Sequence, residues 1–170
     1  MPTLIRGFGV EDMKTIGMLC SLPLLGALCG MYLLARSSDR RQERRWHVGL
    51  TMLVSASSFF LLGFAHTSLP LTVFLLSLGA AATFSAISLF WTIPPALLTP
   101  AKAAGGIALI SSMGNFAGVV SQMAVGAIKS ATGSLYMAFD VVAAMLVLGA
   151  LVLLIAIPVR LLHERRANAH

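Results

Sequence analysis

The order of apolar and polar residues divides this chain into long uncharged runs separated by short basic or turn-rich breaks. The first run covers residues 15–35 and ends at the stretch SDRRQERRWH. The next, counting histidine as neutral, covers residues 46–101, long enough for two helices. The sequence His66-Thr67-Ser68-Leu69-Pro70 concentrates polar residues and a proline, which places a turn there. The patterning therefore predicts helices over 46–65 and 71–93, with Pro94-Pro95 ending the regular part of the second. After Thr99-Pro100-Ala101-Lys102, a fourth run spans 103–128. A turn over 129–134 containing Gly133 follows, and a fifth run spans 135–159 before Arg160 and the charged tail.

A bilayer core about 30 Å thick is crossed by about 20 apolar residues in a helix. Each run reaches that length, and the fold class expected is an all-α membrane protein with five transmembrane helices. A sheet is excluded because an open edge in lipid leaves backbone groups unpaired. Composition agrees. The chain is 58% hydrophobic and 11% charged, with mean hydropathy +0.89, whereas soluble domains carry about 25% charged residues. Too few charges remain to coat a water-facing surface. The N-terminus lacks a basic segment leading into a short apolar one, and Glu11 and Asp12 precede the first run, so no cleavable signal peptide is expected.

The net charge of +6 matters through its placement. Five arginines lie between Arg36 and Arg45. With apolar spans on both sides and no wider basic face, this is a membrane-surface loop over 36–45 and not a nucleic-acid site. Of the twelve Lys and Arg residues, nine fall on one side (Arg36, Arg40, Arg41, Arg44, Arg45, Lys102, Arg160, Arg165, Arg166). Three fall on the other (Arg6, Lys14, Lys129). The positive-inside rule puts the nine in the cytoplasm, the N-terminus outside and the C-terminus inside, in the inner (plasma) membrane.

Candidate chemistry is sparse. Cys20 and Cys29 lie in one run, roughly 13 Å apart along a helix, too far to bridge. No metal spacing, cofactor motif or catalytic set is visible, so no enzyme is expected. Gly26 and Gly30 in the first span, and Gly114, Gly118 and Gly126 in the fourth, suit close helix packing. Ser111, Asn115, Gly118 and Gln122 share one helix face. A weaker stripe in the third span holds Ser77, Ala81, Ser85, Ser88 and Thr92, with Trp91 beside it. Two readings stand for these stripes: walls of an aqueous cavity, or hydrogen-bonding glue between helices. Asp140, the one acid placed within a span, has two readings as well. It is a proton-transfer group, or a structural carboxylate near a helix N-terminus. Lys129 is expected to snorkel to the outer interface.

The stretch LARSSDRRQERRWH, residues 34–47, resembles the cytoplasmic loop after helix eight of major facilitator superfamily transporters. Asp39-Arg40 and Glu43-Arg44-Arg45 match its motif, while Ala35 and Gln42 stand where the family has glycine. Residues 90–134 are similar to helices ten and eleven of the anion:cation symporter family, which includes tartrate, glucarate, galactonate and phthalate permeases. The matching features are Phe90-Trp91 ahead of Pro94, the Gly106-Ile107-Ala108-Leu109-Ile110 start, Gly114-Asn115 and the Ala131-Thr132-Gly133-Ser134 turn. Pro2-Thr3-Leu4-Ile5 resembles the outer end of helix seven.

The resemblance implies a partial C-terminal bundle, helices eight to twelve of twelve. The N-terminal half and most of helix seven would lie outside this chain. It implies transport of small organic anions such as sugar acids, tartrate or other dicarboxylates, by proton symport and alternating access around a site between two halves. Ser88 and Trp91 match cavity-facing positions of helix ten. Ser111 stands where many members have asparagine. Asn115 matches the Gly-Asn pair, and Gln122 joins these by spacing alone. The expected partners are the lipid bilayer, a small organic anion, a proton, and either the missing half or a second copy. The alternative is a non-transporting membrane protein: a truncated product, or a small subunit docking onto another bundle.

Overall fold

A computed structural model describes residues 2–41, 44–65 and 67–156. Within them the chain is almost wholly helical, in the order α1 (Pro2–Arg6), α2 (Met13–Arg41), α3 (Arg44–Leu61), α4 (Leu69–Phe90), α5 (Ile93–Leu97), α6 (Pro100–Thr132) and α7 (Leu135–Ala156). A 3-10 turn, Leu62–Phe64, extends α3. Five helices are long and apolar enough to cross a membrane. No strand occurs among the described residues.

Local chemistry sets the ends of these helices. Asp12 caps α2: its carboxylate accepts the Thr15 amide at 2.9 Å and the Thr15 hydroxyl at 2.6 Å. Those two bonds, the hydroxyl first, hold the Asp12 carboxyl below the usual carboxylate range. Pro70 stands in the first turn of α4, where its missing N–H costs nothing. At the end of α6, Gly133 adopts φ 70° and returns its amide to the Lys129 carbonyl at 2.9 Å.

Several boundaries differ from the expected ones. Helix α6 begins at Pro100, inside the break expected over 99–102, and continues to Thr132, through most of the turn expected over 129–134. Proline fits a first helical turn, and nothing before Gly133 stops the ladder. The basic stretch expected as a loop is helical as far as Arg41. Arginine is a good helix former and nothing from Arg36 to Arg41 interrupts the ladder. Pro94 and Pro95 do not simply end a span. They occupy the first turn of α5, the one helical place that tolerates proline. Glu43, His66, Arg160 and the tail lie outside the described residues.

The helices alternate in direction. At one end, Val48, Leu89, Ile93 and Leu153 form a buried cluster. At the other, Leu4 packs with Leu62, Ala65, Leu75 and Leu76, so α1 closes that end of the bundle. The main packing is α4 against α2 and α3, and α3 against α7. Gly26 and Gly30 lie in the α2–α4 contact. A Cβ at position 26 would stand 3.5 Å from the Ser77 carbonyl oxygen, and one at position 30 would stand 3.0 Å from the Ala81 Cβ. Two further glycines admit bulky neighbours: Gly49 faces Leu154, and Gly79 faces Phe59. Between α3 and α4, the Ser55 and Thr83 hydroxyls are 2.6 Å apart.

Helix α6 stands apart from this core. It leans on α7 and α5, and its membrane-length window has no buried residue. A Cβ at Gly114, Gly118 or Gly126 would meet nothing within 4 Å.

Candidate functional site

Where α6 leans away from the bundle, a cleft of about 740 Å³ opens. Helix periodicity brings Thr83, Ala86, Ile87 and Phe90 of α4, with Trp91 just past its end, onto one wall. Ile110, Ser111, Gly114 and Asn115 of α6 form the opposite one. Val48 and Met52 of α3 and Leu146, Gly149, Val152 and Leu153 of α7 complete the lining.

Of the candidate residues, the cleft brings together Trp91, Ser111 and Asn115, with Gly114 between the last two. Trp91 is 38% exposed and meets the Phe90 ring edge-on, with centroids 5.7 Å apart. Among the described residues, the Ser111 hydroxyl and the Asn115 amide make no hydrogen bond. An uncommitted amide offers both a donor and an acceptor to whatever enters. Ser88, half-buried on α4, is not on this wall, and Gln122 is exposed farther along α6.

The α4 stripe divides between two neighbours. Ser77 and Ser85 lie beside Gly26 and Gly30 of α2. Their hydroxyls donate to the Val73 and Ala81 carbonyls of their own helix at 2.7 Å each. Thr83, which the spacing argument passed over, is on the cleft wall. Its hydroxyl donates to the Gly79 carbonyl at 2.8 Å. Thr83 sits one turn before Ile87 and two before Phe90, and that periodicity is its signal in the sequence.

Among the described residues, no charged side chain lines the cleft. Its positive neighbours stand at the ends of its helices. Arg44 donates to the Thr92 carbonyl at 3.2 Å, next to Trp91, and lies 3.8 Å from the Asp39 carboxylate. Arg45 donates to the Leu154 carbonyl, next to Leu153. Thr92 lies between the end of α4 and the start of α5, whose N-cap position it holds, and Leu154 lies in the last described turn of α7. The motif residues Asp39, Arg40, Arg44 and Arg45 are thus gathered where α2, α3, α4 and α7 all end or begin. Asp140 is half-buried in the second turn of α7, away from the cleft, without a side-chain partner among the described residues. No cluster of metal-ligating side chains occurs among the described residues.

No family model matches the chain, and no solved structure matches it. Curated relatives do. A Pseudomonas putida protein named as a metabolite transport protein, NicT, is 37% identical over 164 residues, covering 96% of this chain and 37% of that protein. An Agrobacterium vitis protein named as a tartrate transporter is 33% identical over 172 residues, covering 99% of this chain and 38% of its own length. A quinolone resistance transporter of Acinetobacter baumannii is 36% identical over 135 residues, 79% of this chain and 31% of the relative. The chain thus spans about a third of the length of the relatives it matches. With five apolar helices and transporters as relatives along nearly its whole length, the chain belongs to the major facilitator superfamily of membrane transporters.

Proposed function

We propose that this chain is the C-terminal bundle, short of one helix, of a transporter for small organic anions. In this reading the chain supplies one wall of the substrate path and an N-terminal bundle supplies the other. Transport proceeds by alternating access and is driven by proton symport, with sugar acids and dicarboxylates such as tartrate as substrates. The chain sits in the inner membrane with its arginine end in the cytoplasm.

The cleft carries the proposal: Trp91 on one side faces Ser111 and Asn115 on the other, and all three line one accessible space. Among the described residues the lining offers neutral hydrogen-bonding groups and an aromatic face but no cation. In this reading the charge that binds an anion comes from the other bundle.

The test is uptake of labelled tartrate and sugar acids into vesicles under an inward proton gradient. The chain alone is expected to give no uptake above empty vesicles. The chain joined to the N-terminal bundle of the tartrate-transporter relative is expected to take up anion, and Asn115→Ala to reduce uptake tenfold or more at unchanged protein level. Uptake by the chain alone, or none by the joined protein, rejects the reading.

A second reading, a non-transporting subunit of another bundle, is favoured by the uncovered surface of α6. It expects co-purification of a partner and no uptake in either vesicle.

A further inference from the structure

The arginine end of α2 carries a surface that neither the cleft nor the bundle core uses. Leu25, Leu28, Tyr32 and Arg36 follow at i, i+3, i+7 and i+11, on one face of the helix. All are exposed, with Leu28 at 65% and Tyr32 at 64%. Along this face the polarity changes once, from leucine through tyrosine to arginine. Tyr32 sits where the change occurs, and the Arg36 guanidinium donates to its hydroxyl at 3.2 Å. Tyrosine favours that depth in a bilayer because its ring is apolar and its tip is wet.

Beyond Tyr32 the side chains frame two adjoining grooves. One, of about 470 Å³, is lined by Tyr32, Leu33, Arg36, Ser37, Arg40 and Arg41. The other, of about 440 Å³, adds Ala35 and Asp39. Asp39 is the acidic group in the lining, and Arg44 stands 3.8 Å from it. Arg40 and Arg41 are exposed and have no side-chain partner among the described residues. Three guanidiniums thus converge on a groove that continues into an apolar helix face.

We propose that this face of α2 is a docking surface for an anionic phospholipid. Arg36, Arg40 and Arg41 hold the headgroup phosphate, and the acyl chains lie against Leu25, Leu28 and Leu33. Charge complementarity selects an anion, since guanidinium pairs with phosphate through two parallel hydrogen bonds. The apolar strip below selects a lipid, because a free anion has no use for it. Basic clusters beside a membrane span attract anionic lipids at about 1 kcal/mol per residue, which is about fivefold in affinity for each arginine. This surface does not depend on what the cleft transports.

Native mass spectrometry of the detergent-solubilised chain tests the proposal, with phosphatidylglycerol compared to phosphatidylcholine of the same acyl chains. Phosphatidylglycerol adducts are expected to dominate, and excess inorganic phosphate is expected not to displace them. Each of Arg40→Gln and Arg41→Gln is expected to lower the phosphatidylglycerol preference about fivefold. Both side chains are solvent-facing, so folding is spared, and helical circular dichroism checks it. Arg40→Lys keeps the charge but loses the paired hydrogen bonds, and is expected to fall between the chain and Arg40→Gln. Removing equal charge elsewhere, by Lys102→Gln with Lys129→Gln, leaves it unchanged. Equal binding of the two lipids overturns the proposal. So does a preference that survives Arg40→Gln with Arg41→Gln, or that falls equally in the Lys102/Lys129 variant. Displacement by inorganic phosphate overturns it too, identifying a free-anion site instead.

Discussion

Single residues in this chain do unequal work, and the environment of each says how much. Gly30 and Gly118 both belong to small-residue patterns, yet one faces the Ala81 Cβ across a helix contact and the other faces open space. Gly30→Val is expected to destabilise the α2–α4 pair by about 1–3 kcal/mol, as overpacking does. Gly118→Ala is expected to leave the isolated chain unchanged. Reversible unfolding in mixed micelles checks both. Asp12 gives a pH prediction. Its folded carboxyl is held below the usual range by Thr15, so its capping contribution is complete above the unfolded carboxylate pKa. The contribution is lost as pH falls through the lower, folded value. Hydrogen exchange at the Thr15 amide should therefore differ between the chain and Asp12→Ala at neutral pH, and converge in acid.

At the scale of elements, apolar run length forecasts a helix, but the run does not say which face meets which neighbour. The serines of α4 illustrate this. Ser77 and Ser85 share one face by spacing, and that face meets α2, with each hydroxyl returned to its own backbone. The polar link from α4 to α3 comes instead from Thr83 and Ser55. Ser55→Ala is expected to weaken that helix pair by about 0.6 to 2 kcal/mol, the range of interhelical hydrogen bonds in membranes. Steric trapping of the α3–α4 pair measures it. The turn from α6 to α7 rests on Gly133 at φ 70°, where a β-branched residue is strained. Gly133→Val should cost about 1–2 kcal/mol and fray the end of α6, seen as faster amide exchange at Lys129 to Thr132.

Across the whole molecule, charge is sorted by end. Arg36, Arg40, Arg41, Arg44 and Arg45 gather where α2 meets α3, beside Thr92 and Leu154. Lys129 lines a groove at the other end with Leu4, Gly7 and Tyr136. The sidedness expected from the positive-inside rule follows as a labelling prediction. With Cys20 and Cys29 replaced by serine, Arg40→Cys should react with an impermeant thiol reagent only from the cytoplasmic face, and Ser134→Cys only from the outside. The reverse pattern would invert the topology. The exposed length of α6 makes a further demand at this scale, since Ser111 and Asn115 are costly against hydrocarbon and call for a partner surface or water.

Much of this architecture was readable along the chain itself. The count of five helices, the solvent they require and the sorting of arginines to one end come from local composition. A helix satisfies its backbone within its own segment, so a run of about 20 apolar residues is sufficient information. The tertiary structure alone decided which faces pair. It alone brought Trp91 to Ser111 and Asn115 while leaving Ser88 and Gln122 aside. It drew Arg44 and Arg45 to the ends of α4 and α7, and left α6 uncovered. Those outcomes depend on helix rotation and on side chains far apart in sequence. In lipid they are set by close packing between neighbours, to which hydropathy is blind.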